Sequence, residues 1–332
     1  MSIPVSALHD WRQALAPSVS GAVTLSVLLA ALYVFSIYAS QALSPLANVS
    51  THDRDHPEVI RRRMRGAVTA TALSLALTAL VLGRWRETND GGESSSSSSS
   101  SVVALLGLEV GRVPASVFVS LVLCATAYLG PLVLDHVDSE ETFRADTAAD
   151  APAWWTRAYR KAVLVWRQPI PLRNYVVGPL TEELVFRSCV VSLWTCAGIS
   201  LTRTIYLSPF VFALAHVHHA FGQLRNSSRS SNSSGGSNGQ GIVRRILLVT
   251  CAQIVYTSMF GWLAVALMVR TRSVAGPVAA HAFCNYRGLP DFARVARCRP
   301  VVRYPVVLTF VLGLGAFAVL FEPMTREGVF IS

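Results

Sequence analysis

Long apolar stretches alternate with short polar segments along almost the whole chain of 332 residues. Stretches of near-spanning length lie at 19–42, 66–83, 113–134, 175–197, 204–222, 246–269, 273–289 and 303–321. Because a transmembrane helix needs about 20 apolar residues, these stretches predict an all-α, polytopic membrane protein with about eight helices. The second, seventh and eighth are short enough for re-entrant or tilted helices. A ninth apolar piece at 102–108 is too short to span.

Composition supports a membrane protein. Hydrophobic residues make up 52% of the chain and charged residues only 14%, whereas soluble domains carry about 25% charged residues. The net charge of +10 is better explained by arginines flanking membrane spans than by nucleic-acid binding. We expect a single membrane-embedded domain over 1–332. The six cysteines form no CxxC pair, so they predict neither a zinc site nor a disulfide framework.

Three polar segments interrupt the apolar pattern. Residues 84–101 end in eight serines, and residues 226–241 read NSSRSSNSSGGSNGQG. Both are low in complexity and predict flexible loops. The segment 154–168 mixes tryptophans with arginines, which is typical of a helix lying in the membrane interface.

The distribution of basic residues predicts the orientation of the chain. The loops after the odd-numbered spans, counted with the span ends, carry 20 lysines and arginines, whereas the other loops and both termini carry 8. The positive-inside rule therefore places the odd-numbered loops in the cytosol and both termini on the opposite side.

Ionisable side chains inside the apolar stretches form three clusters, each in a separate span. The clusters are Glu182, Glu183 and Arg187; His216, followed by His218 and His219; and His281 with Asn285. Such residues are costly at membrane depth and are usually functional. With the predicted orientation, Glu182, His216 and His281 lie roughly 10, 9 and 12 Å from the cytosolic ends of their spans. We therefore expect one water-filled site that opens to the cytosol.

Helical spacing separates the roles of the two glutamates. Glu183 and Arg187 are four residues apart and can form an ion pair, whereas Glu182 points about 100° away from Glu183. Glu182 is then left for chemistry. The alternative is that both glutamates belong to one structural ion-pair network.

One carboxylate, two histidines and an amide suit amide hydrolysis. Glu182 can act as general base on a water that His216 helps to hold, and His281 and Asn285 can donate hydrogen bonds to the oxyanion. Neither a GxSxG serine motif nor an HExxH zinc helix occurs. Three alternatives stay open: a Glu/His/His zinc site, a non-catalytic membrane scaffold of the same fold, and a proton-coupled transporter with a Glu/His relay.

The clusters carry the resemblance to a known family. TEELVFR (181–187), FALAHVHH (212–219) and HAFCNY (281–286) resemble the signatures of the type II CAAX prenyl proteases. The wider family of glutamate-dependent intramembrane proteases shares the patterns EExxxR, FxxxH and HxxxN. The segment RDHPEVIRRR (54–63) is also similar to the eukaryotic members.

The resemblance implies a function and a site. It implies removal of the last three residues from farnesylated or geranylgeranylated CAAX proteins, such as small GTPases, in the endoplasmic reticulum membrane with the active site facing the cytosol. It implies a cavity open to cytosol and membrane, and no metal or other cofactor. The catalytic residues would be Glu182, His216, His281 and Asn285, and the supporting residues Glu183 and Arg187.

Overall fold

The computed structural model describes residues 18–42, 55–89, 101–145, 163, 166–215 and 239–326. Its helices are α1 (Val19–Ala42), α2 (Pro57–Asn89), α3 (Val102–Leu105), α4 (Val113–Ala127), α5 (Leu129–Ala145), α6 (residues 169–196), α7 (Leu201–Ala215), α8 (Gly239–Thr271), α9 (Ala275–Arg287), α10 (Phe292–Arg297) and α11 (Pro300–Met324). Within these ranges the structure has no β-strand. The predicted all-α class is confirmed.

Five segments of the described chain are long and apolar enough to cross a membrane. They are Val19–Ser40, Pro57–Glu87, Val102–Ala127, Val243–Thr271 and Pro300–Met324. The protein is therefore a multi-pass membrane protein. The other three predicted spans correspond to α6, which carries the first charged cluster, and to the shorter helices α7 and α9.

Several predicted boundaries were wrong. The second span is not short, because α2 has 33 residues and continues through the charged segments on both sides of 66–83. The last span was also expected to be short, but α11 has 25 residues. The predicted loop at 84–101 begins later than expected, since α2 continues to Asn89. The apolar piece 102–108 precedes α4 within one spanning segment.

Small residues allow close approach between helices. A Cβ atom added to Gly66 of α2 would lie 2.5 Å from the carbonyl oxygen of Ser36 in α1. At Gly276 of α9, it would lie 2.7 Å from the hydroxyl of Ser120 in α4. Helix pairs in membranes commonly use such contacts because hydrophobic burial cannot hold them together there.

Hydrogen bonds from α6 hold this central helix in place. The indole Nε1 of Trp194 donates to the hydroxyl of Ser26 in α1 over 3.0 Å. On another side, the hydroxyl of Ser192 donates to the carbonyl of Leu105 over 2.6 Å, and that of Ser188 to the carbonyl of Leu106 over 2.5 Å. Side-chain hydrogen bonds of this kind each stabilise helix association by about 0.6 to 2 kcal/mol.

Some predicted features lie outside the described residues. These are His216 with His218 and His219, the loop 226–241, and nearly all of the interfacial segment 154–168.

Candidate active site

The glutamates lie on a short α-helical segment between two π-helical turns of α6. The turns are Arg173–Val177 and Leu184–Cys189, and the α-helical part between them is Gly178–Glu183. In the first turn, the amide of Gly178 donates to the carbonyl of Arg173, five residues earlier. A Cβ atom at position 178 would lie 2.8 Å from that carbonyl oxygen, so the turn favours glycine. Single π-turns inside α-helices are frequent at functional sites.

Asn285 bonds to a carbonyl group that the first π-turn leaves available. The residue five positions after Asn174 is Pro179, which has no backbone N–H, and the amide of Gly178 is already bonded to Arg173. The side-chain Nδ2 of Asn285 donates to the Asn174 carbonyl over 2.9 Å. Asn285 thereby joins the end of α9 to the start of α6, and its amide has a second hydrogen for another acceptor.

Glu183 is the centre of a buried charged network. One of its oxygens, Oε1, accepts hydrogen bonds from Nη1 of Arg187 at 3.0 Å and from Nδ1 of His281 at 2.7 Å. The side chains of Glu183 and Arg187 are 0% and 1% exposed. The predicted pairing of these two residues is confirmed. A charged pair buried this deeply requires its partner, since an uncompensated charge there is strongly destabilising.

Glu182 faces the other edge of the same histidine. Its Oε2 lies 3.9 Å from Nε2 of His281, and its side chain is 24% exposed. Glu183 thus orients the imidazole ring through Nδ1, while Nε2 points toward Glu182. Among the described residues, Arg187 pairs with Glu183, and residues of two predicted clusters meet where His281 contacts both glutamates.

Two phenylalanines enclose the network. The guanidinium carbon of Arg187 lies 4.4 Å from the ring centre of Phe212 and 5.6 Å from that of Phe260. The Phe260 ring lies 4.9 Å from the His281 ring. Contacts of a cation with an aromatic face stabilise a buried guanidinium that water cannot reach.

Phe260 is a site residue that sequence analysis missed. It lies in α8, outside the three clusters, and its neighbour Gly261 fixes where it packs. A Cβ atom at Gly261 would lie 2.6 Å from Cβ of Pro209, so α8 and α7 are closely packed at this point. A single phenylalanine in a long apolar stretch gives no signal of this role, because it differs in no way from its lipid-facing neighbours.

Tyr33 supports the site from α1 and was also missed. Its hydroxyl is hydrogen-bonded to that of Thr181 over 2.9 Å, and its ring lies 5.9 Å from Phe186. Thr181 directly precedes Glu182, so this contact holds the first turn of the glutamate segment against α1.

The structure brings together five of the six predicted site residues. Glu182, Glu183, Arg187 and His281 form the network, and Asn285 lies one helical turn beyond His281. His216 lies outside the described residues, so the structure does not describe the complete Glu/His/His set of the alternative zinc site.

Comparisons with known proteins identify the family. Residues 165–287 match the family model described as type II CAAX prenyl endopeptidase Rce1-like. The chain is 31% identical to CAAX prenyl protease 2 of Homo sapiens over 299 residues, which cover 90% of this chain and 79% of the human protein. It is 30% identical to CAAX prenyl protease 2 of Arabidopsis thaliana over 316 residues, which cover 93% and 91% of the two chains. No solved structure matches significantly.

The matched range contains all six residues of the predicted site, and the similarity to both relatives extends over most of the chain. The chain therefore belongs to the type II CAAX prenyl endopeptidase family and is a membrane-embedded peptidase.

Proposed function

We propose that the protein removes the last three residues from prenylated CAAX proteins, such as farnesylated or geranylgeranylated small GTPases. The observation that carries this proposal is the contact between Glu182 and Nε2 of His281. The other ring nitrogen, Nδ1, is bonded to the buried Glu183. A base and an oriented donor beside each other are what hydrolysis of a peptide bond requires.

In the proposed reaction, Glu182 accepts a proton from a water molecule that His216 helps to hold. The resulting hydroxide attacks the carbonyl carbon of the prenylated cysteine. The proton then passes to the leaving amine as the peptide bond breaks. The products are a protein that ends in the prenylated cysteine carboxylate and a free tripeptide.

His281 and Asn285 are the proposed oxyanion donors. Glu183 accepts from Nδ1 of His281, and Nε2 faces Glu182. Donation from Nε2 to the oxyanion then requires the doubly protonated imidazole, in which both ring nitrogens carry a hydrogen. Asn285 uses one amide hydrogen for the carbonyl of Asn174 and has the other for the oxyanion. Donors that are fixed in place before the reaction stabilise the developing charge without reorganisation.

We propose that the enzyme works in the endoplasmic reticulum membrane with this site facing the cytosol. The excess of basic residues in the odd-numbered loops supports that orientation. A prenylated tail is a lipid-anchored peptide on the cytosolic side, and each buried CH₂ of its lipid contributes about 0.8 kcal/mol to partitioning. A site open to both cytosol and bilayer would receive lipid and peptide together.

Release of the tripeptide tests this function directly. Membranes that carry this protein as their only CAAX protease are incubated with a CAAX peptide, with and without its prenyl group, in the presence of a zinc chelator. We expect cleavage of the prenylated peptide alone. Cleavage that requires added zinc would support the metal site instead, and substrate uptake without cleavage would support a transporter.

Phe260 should affect turnover more than substrate binding. We expect Phe260→Leu to lower kcat about tenfold with little change in KM, because the loss of ring contacts worth about 0.5–1.5 kcal/mol frees the His281 imidazole. Phe317→Leu is the matched control, since Phe317 packs against the same apolar cluster as Phe260. Equal kinetic effects of the two substitutions would show that Phe260 acts only through packing.

A further inference from the structure

Arg173 is a cation near the start of α6, the helix that carries Glu182. It lies in the first π-turn of α6, nine residues before Glu182, and its side chain is 24% exposed. Its Nη1 donates to the carboxylate of Asp55 over 3.1 Å. The side chain is therefore partly accessible to water, and its guanidinium is already bound to a carboxylate group.

Asn174 connects this cation to the proposed oxyanion donor. The Nε of Arg173 donates to the side-chain oxygen of Asn174 over 2.9 Å. The backbone carbonyl of the same Asn174 accepts from Asn285, also over 2.9 Å. Arg173 and Asn285 are thus separated by the length of one asparagine residue.

The length of the released tripeptide fits this separation. The substrate ends in a carboxylate three residues after the bond that is cleaved, and three extended residues span about 10 Å. Nine residues of helix between Arg173 and Glu182 rise by about 13 Å at most, and the arginine side chain reaches several ångströms from its own backbone. A tail whose cysteine carbonyl lies at Glu182 can therefore place its end near the guanidinium.

The chemistry of arginine also fits this ligand. A guanidinium has five N–H donors in a planar fork that matches a carboxylate. The Asp55 side chain is 54% exposed, and exposed pairs of this kind contribute little free energy. An incoming carboxylate can displace Asp55 or share the guanidinium with it.

We propose that Arg173 binds the C-terminal carboxylate of the substrate, so that the enzyme selects the bond three residues from the end of the chain. This inference rests on the proposed function. It assigns to Arg173 the recognition of the chain end, a role that the proposed mechanism gives to none of the catalytic residues.

Two peptides that differ only at their last group test the inference. Both are farnesylated and end in the same CAAX sequence, one with a free carboxylate and one with a carboxamide. We expect the wild-type protein to cleave the carboxylate peptide with a kcat/KM about tenfold higher, as for the loss of one exposed charge-assisted hydrogen bond. We expect Arg173→Gln to abolish this preference by lowering only the rate for the carboxylate peptide.

Asp55→Asn is the matched control, since it breaks the same ion pair and keeps the cation. It should retain the preference, and Arg173→Lys should retain part of it because a lysine keeps the charge without the fork. Both variants keep the inference testable if Arg173→Gln does not accumulate in membranes. Loss of the preference in Asp55→Asn, or an equal loss of both rates in Arg173→Gln, would overturn it in favour of a structural ion pair.

The wild-type protein separates this inference from the function on which it rests. Equal cleavage of both peptides by the wild type would overturn the role of Arg173 and leave the proposed protease intact. Cleavage of neither peptide would overturn the proposed function, and the inference with it.

Discussion

Glu182→Gln should reduce tripeptide release by about a thousandfold, within the range by which a general base accelerates proton transfer. Glutamine has the shape of glutamate but cannot accept the proton of the attacking water. The folded protein should persist, because the Glu182 side chain is partly exposed and its contact with Nε2 of His281 is long, at 3.9 Å. Release of the tripeptide from a prenylated peptide, at matched protein levels in membranes, measures the effect.

Glu58→Gln provides the control for this substitution. Glu58 is 30% exposed against 24% for Glu182, and it lies in α2 beside Arg61 and Arg62. Its replacement should leave the rate near that of the wild type. His216→Ala should cause a loss similar to that of Glu182→Gln if both residues activate one water. A Glu182→Gln variant with more than about a tenth of the wild-type rate would exclude a general base at this position.

Arg187→Ala or Glu183→Ala should destabilise the folded protein by about 3–5 kcal/mol. Each substitution leaves the other charge buried without its partner, and both side chains are almost fully inaccessible. A domain is typically stable by only about 5–15 kcal/mol, so we expect little folded protein in either variant. Thermal unfolding of the purified protein in detergent, followed by fluorescence, gives the order of stability.

The double variant Glu183→Leu/Arg187→Leu separates stability from catalysis. Replacement of a buried ion pair by apolar residues of similar size is often neutral or stabilising, so the unfolding temperature should recover. Activity should not recover, because Nδ1 of His281 loses its only acceptor among the described residues. An Arg187→Ala variant that unfolds at the wild-type temperature would contradict this account of the network.

Local spacing predicted the parts of the site that depend on one helix. The Glu183–Arg187 pair follows from a separation of four residues, and it forms as expected. The separation of Glu182 from that pair follows from the same rotation per residue. Hydropathy likewise predicted α1 over the range 19–42 that the structure has.

Residue spacing and hydropathy could not predict the contacts between helices. His281 was expected to act beside Asn285, yet its shortest polar contact is with Glu183 of α6. The packing of Phe260 on His281, and of Tyr33 on Thr181, depends on how α8 and α1 lie against α9 and α6. Such contacts require the relative positions of helices far apart in sequence, and apolar periodicity does not contain that information.

Pro179, which follows Gly178, also determines how the side-chain amide of Asn285 is oriented. Because the carbonyl of Asn174 only accepts, the side chain that meets it must present a hydrogen, and the amide is therefore oriented with its nitrogen toward α6. Aspartate has almost the same shape but would set two acceptors against each other. A helix that lacks one backbone donor thus discriminates between two nearly identical side chains on its neighbour, and this hydrogen bond favours an amide at residue 285 independently of any role in the reaction.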